Sequence, residues 1–253
     1  MQIKVYENSH RAEKCRELLE ASRLVSRFSE VIILPIPTTR DGVTVNGGDI
    51  SLLDAVSYAD ADTLVVGYGV PDEVCEVLSS FGATVCDVSQ DEDFLVENAH
   101  LTAVAALGII LSGERCAPAD LRVGIVGYGR IGRSLAEKLL YLGAEVRVFT
   151  RRDKLRMELA ESGIGVGSFP LAGAELEGLD LLVNTAPAAV MSECGDEVCS
   201  VRIMDLASGA VFPNGARVFR YPSLPARVFP ESAGRAFAES VERFLLLGGC
   251  YGG

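Results

Sequence analysis

The sequence predicts a two-domain α/β protein with parallel sheets, and three observations predict it. Short apolar, β-branched runs alternate with helix-period segments from end to end, the pattern that builds parallel sheets through helical crossovers. A glycine-rich strand–turn–helix stands near the middle of the chain, from residue 122 onward. The length of 253 residues suits one large or two small globular units, each with enough chain for a core. The expected parts are a small N-terminal flavodoxin- or Rossmann-like domain and a C-terminal Rossmann dinucleotide-binding domain.

In order, residues 3–6 read as a short strand. Residues 11–28 have helical periodicity, with Leu18, Leu19, Leu24, Val25 and Phe28 recurring on one side. Residues 31–34 read as a buried strand, ended by Pro35 and Pro37. Helices at 49–58 and 71–81 and strands at 63–66 and 84–88 complete a substrate-side domain over residues 1–92. Residues 93–118 form a connector. Its helix has an acidic start that suits the positive end of a helix dipole, and an apolar interior, AHLTAVAALGIIL. Residues 119–230 form the Rossmann unit, with strands at 122–126, 145–149, 179–184, 203–206 and 217–219. Four of the ten prolines lie between Pro213 and Pro230, so that stretch reads as a fixed, extended loop. Residues 231–253 form a helix that packs back through Ala233, Phe237, Val241 and Phe244, followed by a loose tail.

Composition narrows the function classes. Hydrophobic residues are 49% and charged residues 23%, ordinary globular values that argue against disorder, collagen or a coiled coil. A net charge of −12 argues against a nucleic-acid partner but leaves room for an anionic small molecule in a local basic pocket. No unbroken apolar run reaches the roughly twenty residues of a membrane span, so no membrane association is expected. The N-terminus lacks an apolar leader segment, which points to the cytoplasm. The seven cysteines are scattered, odd in number and without a CxxC pair, so reduced thiols and no metal site are expected.

The run RVGIVGYGRIGRSLAEKLLYLGAEVRVFTRR carries most of the functional information. Gly127, Gly129 and Gly132 form GxGxxG after an apolar strand and at the opening of an amphipathic helix. Gly127 makes the tight turn, Gly129 admits a pyrophosphate to the backbone, and Gly132 packs helix against strand. The helix N-terminus offers N–H donors to phosphates. At the end of the next strand, where an NAD site carries a carboxylate, the chain reads Phe149-Thr150-Arg151-Arg152. Two guanidiniums and a hydroxyl suit a 2′-phosphate, so the predicted cofactor is NADP. Asn184, Thr185, Ala186 and Pro187 follow one strand, and Asp205, Leu206, Ala207 and Ser208 end the next. Both loops face the nicotinamide side, where Asn and Thr can bond ribose hydroxyls.

No histidine follows His100, so a histidine–carboxylate dyad cannot form in the Rossmann half; His100 itself is expected to be packed and hydrogen-bonded. No HExxH or GxSxG motif is present. On the connector helix, Asn98 and Thr102 share a face, with Glu97 about 100° round. Glu97 is the candidate base. Thr38, Thr39 and Arg40 leave a strand of the first domain as candidate carboxylate contacts. The connector and C-terminal helices offer surface for a homo-oligomer.

The runs ENAHLTAVAALG, VGIVGYGRIGRSLAEKLLYLGAEVRVFTRR, DLLVNTAPAAV, IMDLAS and YPSLPARVFPESAGR, with VIILPIPTTRDGV earlier, resemble the dipicolinate synthase A family in order and spacing. The resemblance implies an NADP-linked oxidation of a cyclic dihydrodipicolinate-type intermediate of the lysine pathway to pyridine-2,6-dicarboxylate during sporulation. It implies dipicolinate synthase B, a flavoprotein-like protein, as partner and the mother-cell cytoplasm as location. By position, Gly127, Tyr128, Gly129, Arg130, Ile131 and Gly132 would hold the pyrophosphate, and Thr150, Arg151 and Arg152 the adenosine phosphate. Thr185, Ala186, Pro187, Ala207 and Leu224 would approach the nicotinamide ribose and ring. Arg40, Arg130 and Arg227 are candidates for the two substrate carboxylates. The chain departs from the family at VYENSHRAEK, at Ser223 and Ala226 where the family has glycine, and at Glu231. The alternatives are reduction of another small carbonyl or imine acid, or a non-catalytic NADP-binding role.

Overall fold

A computed structural model describes residues 1–169, 171, 173–187, 201–207 and 209–250. Its elements fall into two units, Met1–Asn98 with Pro225–Gly253, and Ala99–Leu224.

In the first unit, β1 (Gln2–Val5), β2 (Glu30–Ile33), β3 (Thr63–Gly67) and β4 (Thr84–Asp87) form a parallel sheet in that order. β3 is buried along its whole length, as a parallel strand covered on both faces must be. The period of two sorts its neighbours: Val31, Ile33, Leu64 and Val66 face one core with Leu19, Phe94 and Phe237, while Ile32, Leu34 and Val65 face another with Leu52, Val74 and Leu78. Helix α1 (His10–Ala21) starts at Ser9, whose Oγ accepts the Ala12 N–H at 3.2 Å. It ends earlier than the periodicity predicts. Val25 and Phe28 still enter the core, from turns, because apolar spacing alone does not separate a helix from compact turns feeding the same core. For the same reason α2 (Leu52–Ala55) is one turn rather than ten residues. α3 (Asp72–Ser80) follows β3.

α4 (Glu92–Gly113) crosses the division between the units in sequence. By length and composition it is apolar enough to cross a membrane; within the fold, Phe94, Ala99, Leu101, Ala103, Ala105, Ala106 and Ile110 are buried. The buried Asp91 precedes it, accepting from Ser240 Oγ at 2.6 Å and Arg243 Nη2 at 2.8 Å. Burial disfavours the Asp91 carboxylate, but the Arg243 and Ser240 hydrogen bonds and the Arg243 charge outweigh it and hold the pKa below its ordinary value.

The second unit holds β5 (Arg122–Val126), α5 (Arg130–Tyr141), β6 (Glu145–Phe149), α6 (Asp153–Glu161), β7 (Gly165–Gly167), β8 (Leu181–Asn184), β9 (Arg202–Asp205) and β10 (Arg217–Arg220). The strands are parallel in the order β7-β6-β5-β8-β9-β10. This is the doubly wound Rossmann order, and its direction reverses between β5 and β8; ligands of such sheets bind outside the carboxyl ends at that reversal. β7 is an element that the sequence pattern does not predict. The stretch from 213 to 230 is not wholly extended, because it contains a short helix, α7 (Leu224–Val228), with Pro225 in its first turn, where a missing N–H breaks no helical bond. Ser223, just before it, has φ 54°, a left-handed backbone that glycine adopts without steric cost.

The last helix, α8 (Pro230–Leu246), lies in the first unit and packs on α1. Gly234 makes the approach: a Cβ there would stand 2.6 Å from the Arg11 carbonyl and 2.7 Å from Lys14 Cβ.

Candidate functional site

The site is built on the reversal point of the second sheet. Gly127 leaves β5 with φ 86°, and its N–H donates to the Phe149 carbonyl at 2.9 Å, locking the turn to β6. A Cβ on Gly127 would lie 2.9 Å from Thr185 Oγ1. A Cβ on Gly132 would lie 2.3 Å from the Gly127 carbonyl oxygen, so the third glycine seats α5 against the turn. Gly129 differs from both: it is the N-cap of α5, no side chain caps that end, and a Cβ there would meet nothing within 4 Å. Internal packing therefore explains the first and third glycines and not the second. The open cradle over Gly129, facing the N-terminus of α5, fits a dinucleotide pyrophosphate.

The strand-end loops are braced. Asn184 is fully buried; its Nδ2 donates to Asp205 Oδ1 at 2.8 Å and to the Ala186 carbonyl at 3.1 Å, and its Oδ1 accepts the Ala186 N–H at 3.1 Å. Asp205 Oδ1 also accepts the Ala207 N–H at 3.2 Å. Asn184 and Asp205 thus join the carboxyl ends of β8 and β9. Thr185 Oγ1 donates to the Val126 carbonyl at 2.8 Å and covers the glycine turn. Ala186 and Ala207 are half-buried and Pro187 is exposed at this edge; Leu224 is buried, and Ser208 lies outside the described residues.

The end of β6 supplies the positive charge. Thr150 is buried, and its Oγ1 accepts the Arg152 N–H at 3.3 Å. Arg152 Nη2 donates to the Tyr128 carbonyl at 2.8 Å, within the glycine turn. Arg151 Cζ lies 5.6 Å from the Phe169 ring centroid. The exposed Arg151 and Arg152 side chains therefore sit at the β6 end of the GxGxxG cradle, where a ribose 2′-phosphate would lie. Tyr128 is half-buried; burial and the negative charge of Glu137 push its phenol pKa up, against the opposing pull of Arg133. Ile131 is half-buried and Arg130 exposed.

The remaining candidates separate by environment. Thr38 is buried, and its Oγ1 accepts the Tyr68 N–H at 2.8 Å, so its hydroxyl ties this loop to the end of β3. Thr39 Oγ1 donates to Asp41 Oδ1 at 2.9 Å inside a tight turn. Arg40 is exposed beside Asn46, Gly47 and Gly48. Glu97 is exposed, Asn98 half-buried and Thr102 buried. Arg227 is exposed. His100 is exposed rather than packed, with Nδ1 3.4 Å from Lys138 Nζ, because it falls on the outer face of α4. No cluster of metal-ligating side chains occurs among the described residues. Two features escape a reading of the sequence. The Arg152–Tyr128 bond depends on a backbone carbonyl, and Phe169 follows a strand that only the sheet register reveals.

This fold and cradle define a Rossmann-type domain of the NAD(P)-binding oxidoreductase kind. The family described as "NADP oxidoreductase coenzyme F420-dependent" matches residues 122–199. The particular likeness is to the A component of dipicolinate synthase. That component from Bacillus subtilis (strain 168) is 26% identical over 133 residues, which are 49% of this chain and 45% of that protein, so the match spans about half of each. The crystal structure of dipicolinate synthase A from Bacillus halodurans superposes with a TM-score of 0.73 at 20% identity, covering 96% of this chain and 97% of that one. The crystal structure of the Bacillus subtilis protein gives 0.73 at 18% identity, covering 98% and 96%. At these structural identities the likeness is one of fold.

Proposed function

We propose that this chain is an NADP-dependent oxidoreductase of the dipicolinate synthase A type, oxidising a cyclic dihydrodipicolinate-type acid to pyridine-2,6-dicarboxylate. The observation that carries the proposal is the glycine turn with Arg151 and Arg152 at its edge: an open backbone cradle for a pyrophosphate beside two guanidiniums suited to a 2′-phosphate. The likeness to dipicolinate synthase A supports the choice of substrate. A bound nicotinamide would supply the hydride acceptor.

The chain's own residues bind and orient. Gly127 to Gly132 hold the pyrophosphate, and Thr150, Arg151 and Arg152 hold the adenosine phosphate. Thr185, Ala186, Pro187, Ala207 and Leu224 form the nicotinamide side. Asn184 and Asp205, bonded to each other, keep those loops in place rather than reaching the ligand. Ser208 is proposed with them from its place in sequence. Arg40, Arg130 and Arg227 are exposed cations that can take the substrate carboxylates. Thr38 and Thr39 shape the loop that presents Arg40, and Asn98 and Thr102 are further substrate candidates. Glu97 is the candidate acceptor of the proton lost with the hydride. Aromatisation drives the reaction, so positioning does most of the protein's part. The flavoprotein-like dipicolinate synthase B is the proposed partner, and the mother-cell cytoplasm of a sporulating cell the proposed place.

A coupled assay tests the proposal. The cyclic intermediate is generated from pyruvate and aspartate semialdehyde by its aldolase, and this protein is added with NADP+. Ultraviolet absorbance of pyridine-2,6-dicarboxylate should rise. No product with NADP+ or NAD+, with dipicolinate synthase B present, would contradict the proposal and leave a non-catalytic NADP-binding role as the better reading.

A further inference from the structure

We propose that Phe169 is a positioning residue that gives this site its preference for a 2′-phosphate, acting through Arg151. The inference rests on the NADP reading above and deepens it. The two guanidiniums after β6 are not equivalent. Arg152 is tethered, donating to the Tyr128 carbonyl at 2.8 Å, so part of its donor set is spent on holding the glycine turn. Arg151 has no backbone tether among the described residues; its contact is the Phe169 ring, 5.6 Å from Cζ to centroid. That lies within cation–π range, about 6 Å. A ring contact holds a guanidinium without consuming its N–H donors, so those donors stay available to phosphate oxygens.

Phe169 is itself fixed from behind. It follows β7, which pairs with β6 through Gly167 and Phe149. The preceding Ser168 donates its N–H to Glu175 Oε1 at 3.0 Å and its hydroxyl to Oε2 at 3.1 Å. Arg147 Nη1 donates to the Glu175 carbonyl at 3.1 Å. A Cβ on Gly167 would stand 2.4 Å from the Phe149 ring, so β7 lies tight on β6 at this end. The partly buried ring packs on the core that includes Phe149 and so offers a shelf for a long, flexible side chain, and a pre-organised donor binds its anion with less loss of side-chain freedom.

The test is calorimetric titration of NADP+ and NAD+ into the wild type, Phe169→Leu, Phe169→Tyr, Arg151→Ala and the Phe169→Leu/Arg151→Ala double variant, with thermal unfolding to check the fold. Leucine keeps an apolar side chain against the neighbouring core and removes the π face. The preference for NADP+ over NAD+ should fall about three- to fivefold in Phe169→Leu and survive in Phe169→Tyr. In the Arg151→Ala background the leucine should change the preference no further. A wild type without preference for NADP+ sinks the cofactor reading and this inference together. A wild-type preference that Phe169→Leu retains, or that Phe169→Tyr loses, overturns the inference alone. If the leucine variant does not fold, Phe169→Met carries the same comparison.

Discussion

Gly127, Gly129 and Gly132 are glycines for different reasons, and substitution separates them. Gly129→Ala meets no atom of the protein, so it should cost less than about 1 kcal/mol of stability, the scale of an N-cap change, while dinucleotide affinity falls at least about tenfold as the methyl enters the cradle. Gly132→Ala drives a Cβ into the Gly127 carbonyl and should cost about 1–3 kcal/mol, read by denaturant unfolding without ligand. Equal stability losses for the two would contradict this division. At the neighbouring strand end, Arg151→Ala should weaken NADP+ binding about ten- to a hundredfold, the range for hydrogen bonds to a charged group, and leave NAD+ binding within about twofold. Titration of both nucleotides checks it; an equal loss for each would move the arginine away from the 2′-phosphate. At this scale the sequence was informative where chemistry is local. The three glycines and Thr150-Arg151-Arg152 are readable because a turn and a strand end demand them. Phe169 was not, because its contact with Arg151 joins two strands whose pairing no local pattern reports.

Elements carry the next set of expectations. The start of α4 is tied to α8 through Asp91, Ser240 and Arg243. The Asp91 pKa is held below its ordinary 3.8 in the folded chain, so the stabilisation is fully present above that value and is lost as pH falls through the folded pKa. Asp91→Asn should therefore destabilise the protein by about 2 kcal/mol at pH 7 and by progressively less as the pH is lowered through the folded pKa, as measured by urea unfolding across the acid range. A pH-independent difference would mean that the carboxylate charge contributes nothing. Ser223 stands in a left-handed backbone, with φ 54°, so Ser223→Gly should raise stability by roughly 1 kcal/mol, seen as a higher Tm. Most elements were legible because they bury one periodic face. Among the exceptions were α1, which stops short although its apolar pattern runs on, α2, which is a single turn, β7, which no local pattern reports, and α7, hidden among prolines that a first helical turn tolerates.

For the whole molecule, the strand order β7-β6-β5-β8-β9-β10 puts the glycine turn, the Thr185 loop and the two arginines at one edge of one sheet. Alternation of strands and helices predicted parallel sheets, but the order of the strands follows from packing between distant segments and could not be read from the chain. Substrate chemistry is the least local property. It depends on which exposed cations the proposed dicarboxylate would meet, and the candidates Arg40, Arg130 and Arg227 are spread far apart in sequence. The cofactor assignment is more direct, and calorimetric titration of NADP+ and NAD+ into the wild-type chain tests it most simply. NADP+ should bind about tenfold or more tighter than NAD+, the difference one charge-assisted phosphate contact supplies. Failure of either nucleotide to bind, or binding of NAD+ as tight as NADP+, would contradict the assignment of the GxGxxG cradle and its arginines to NADP.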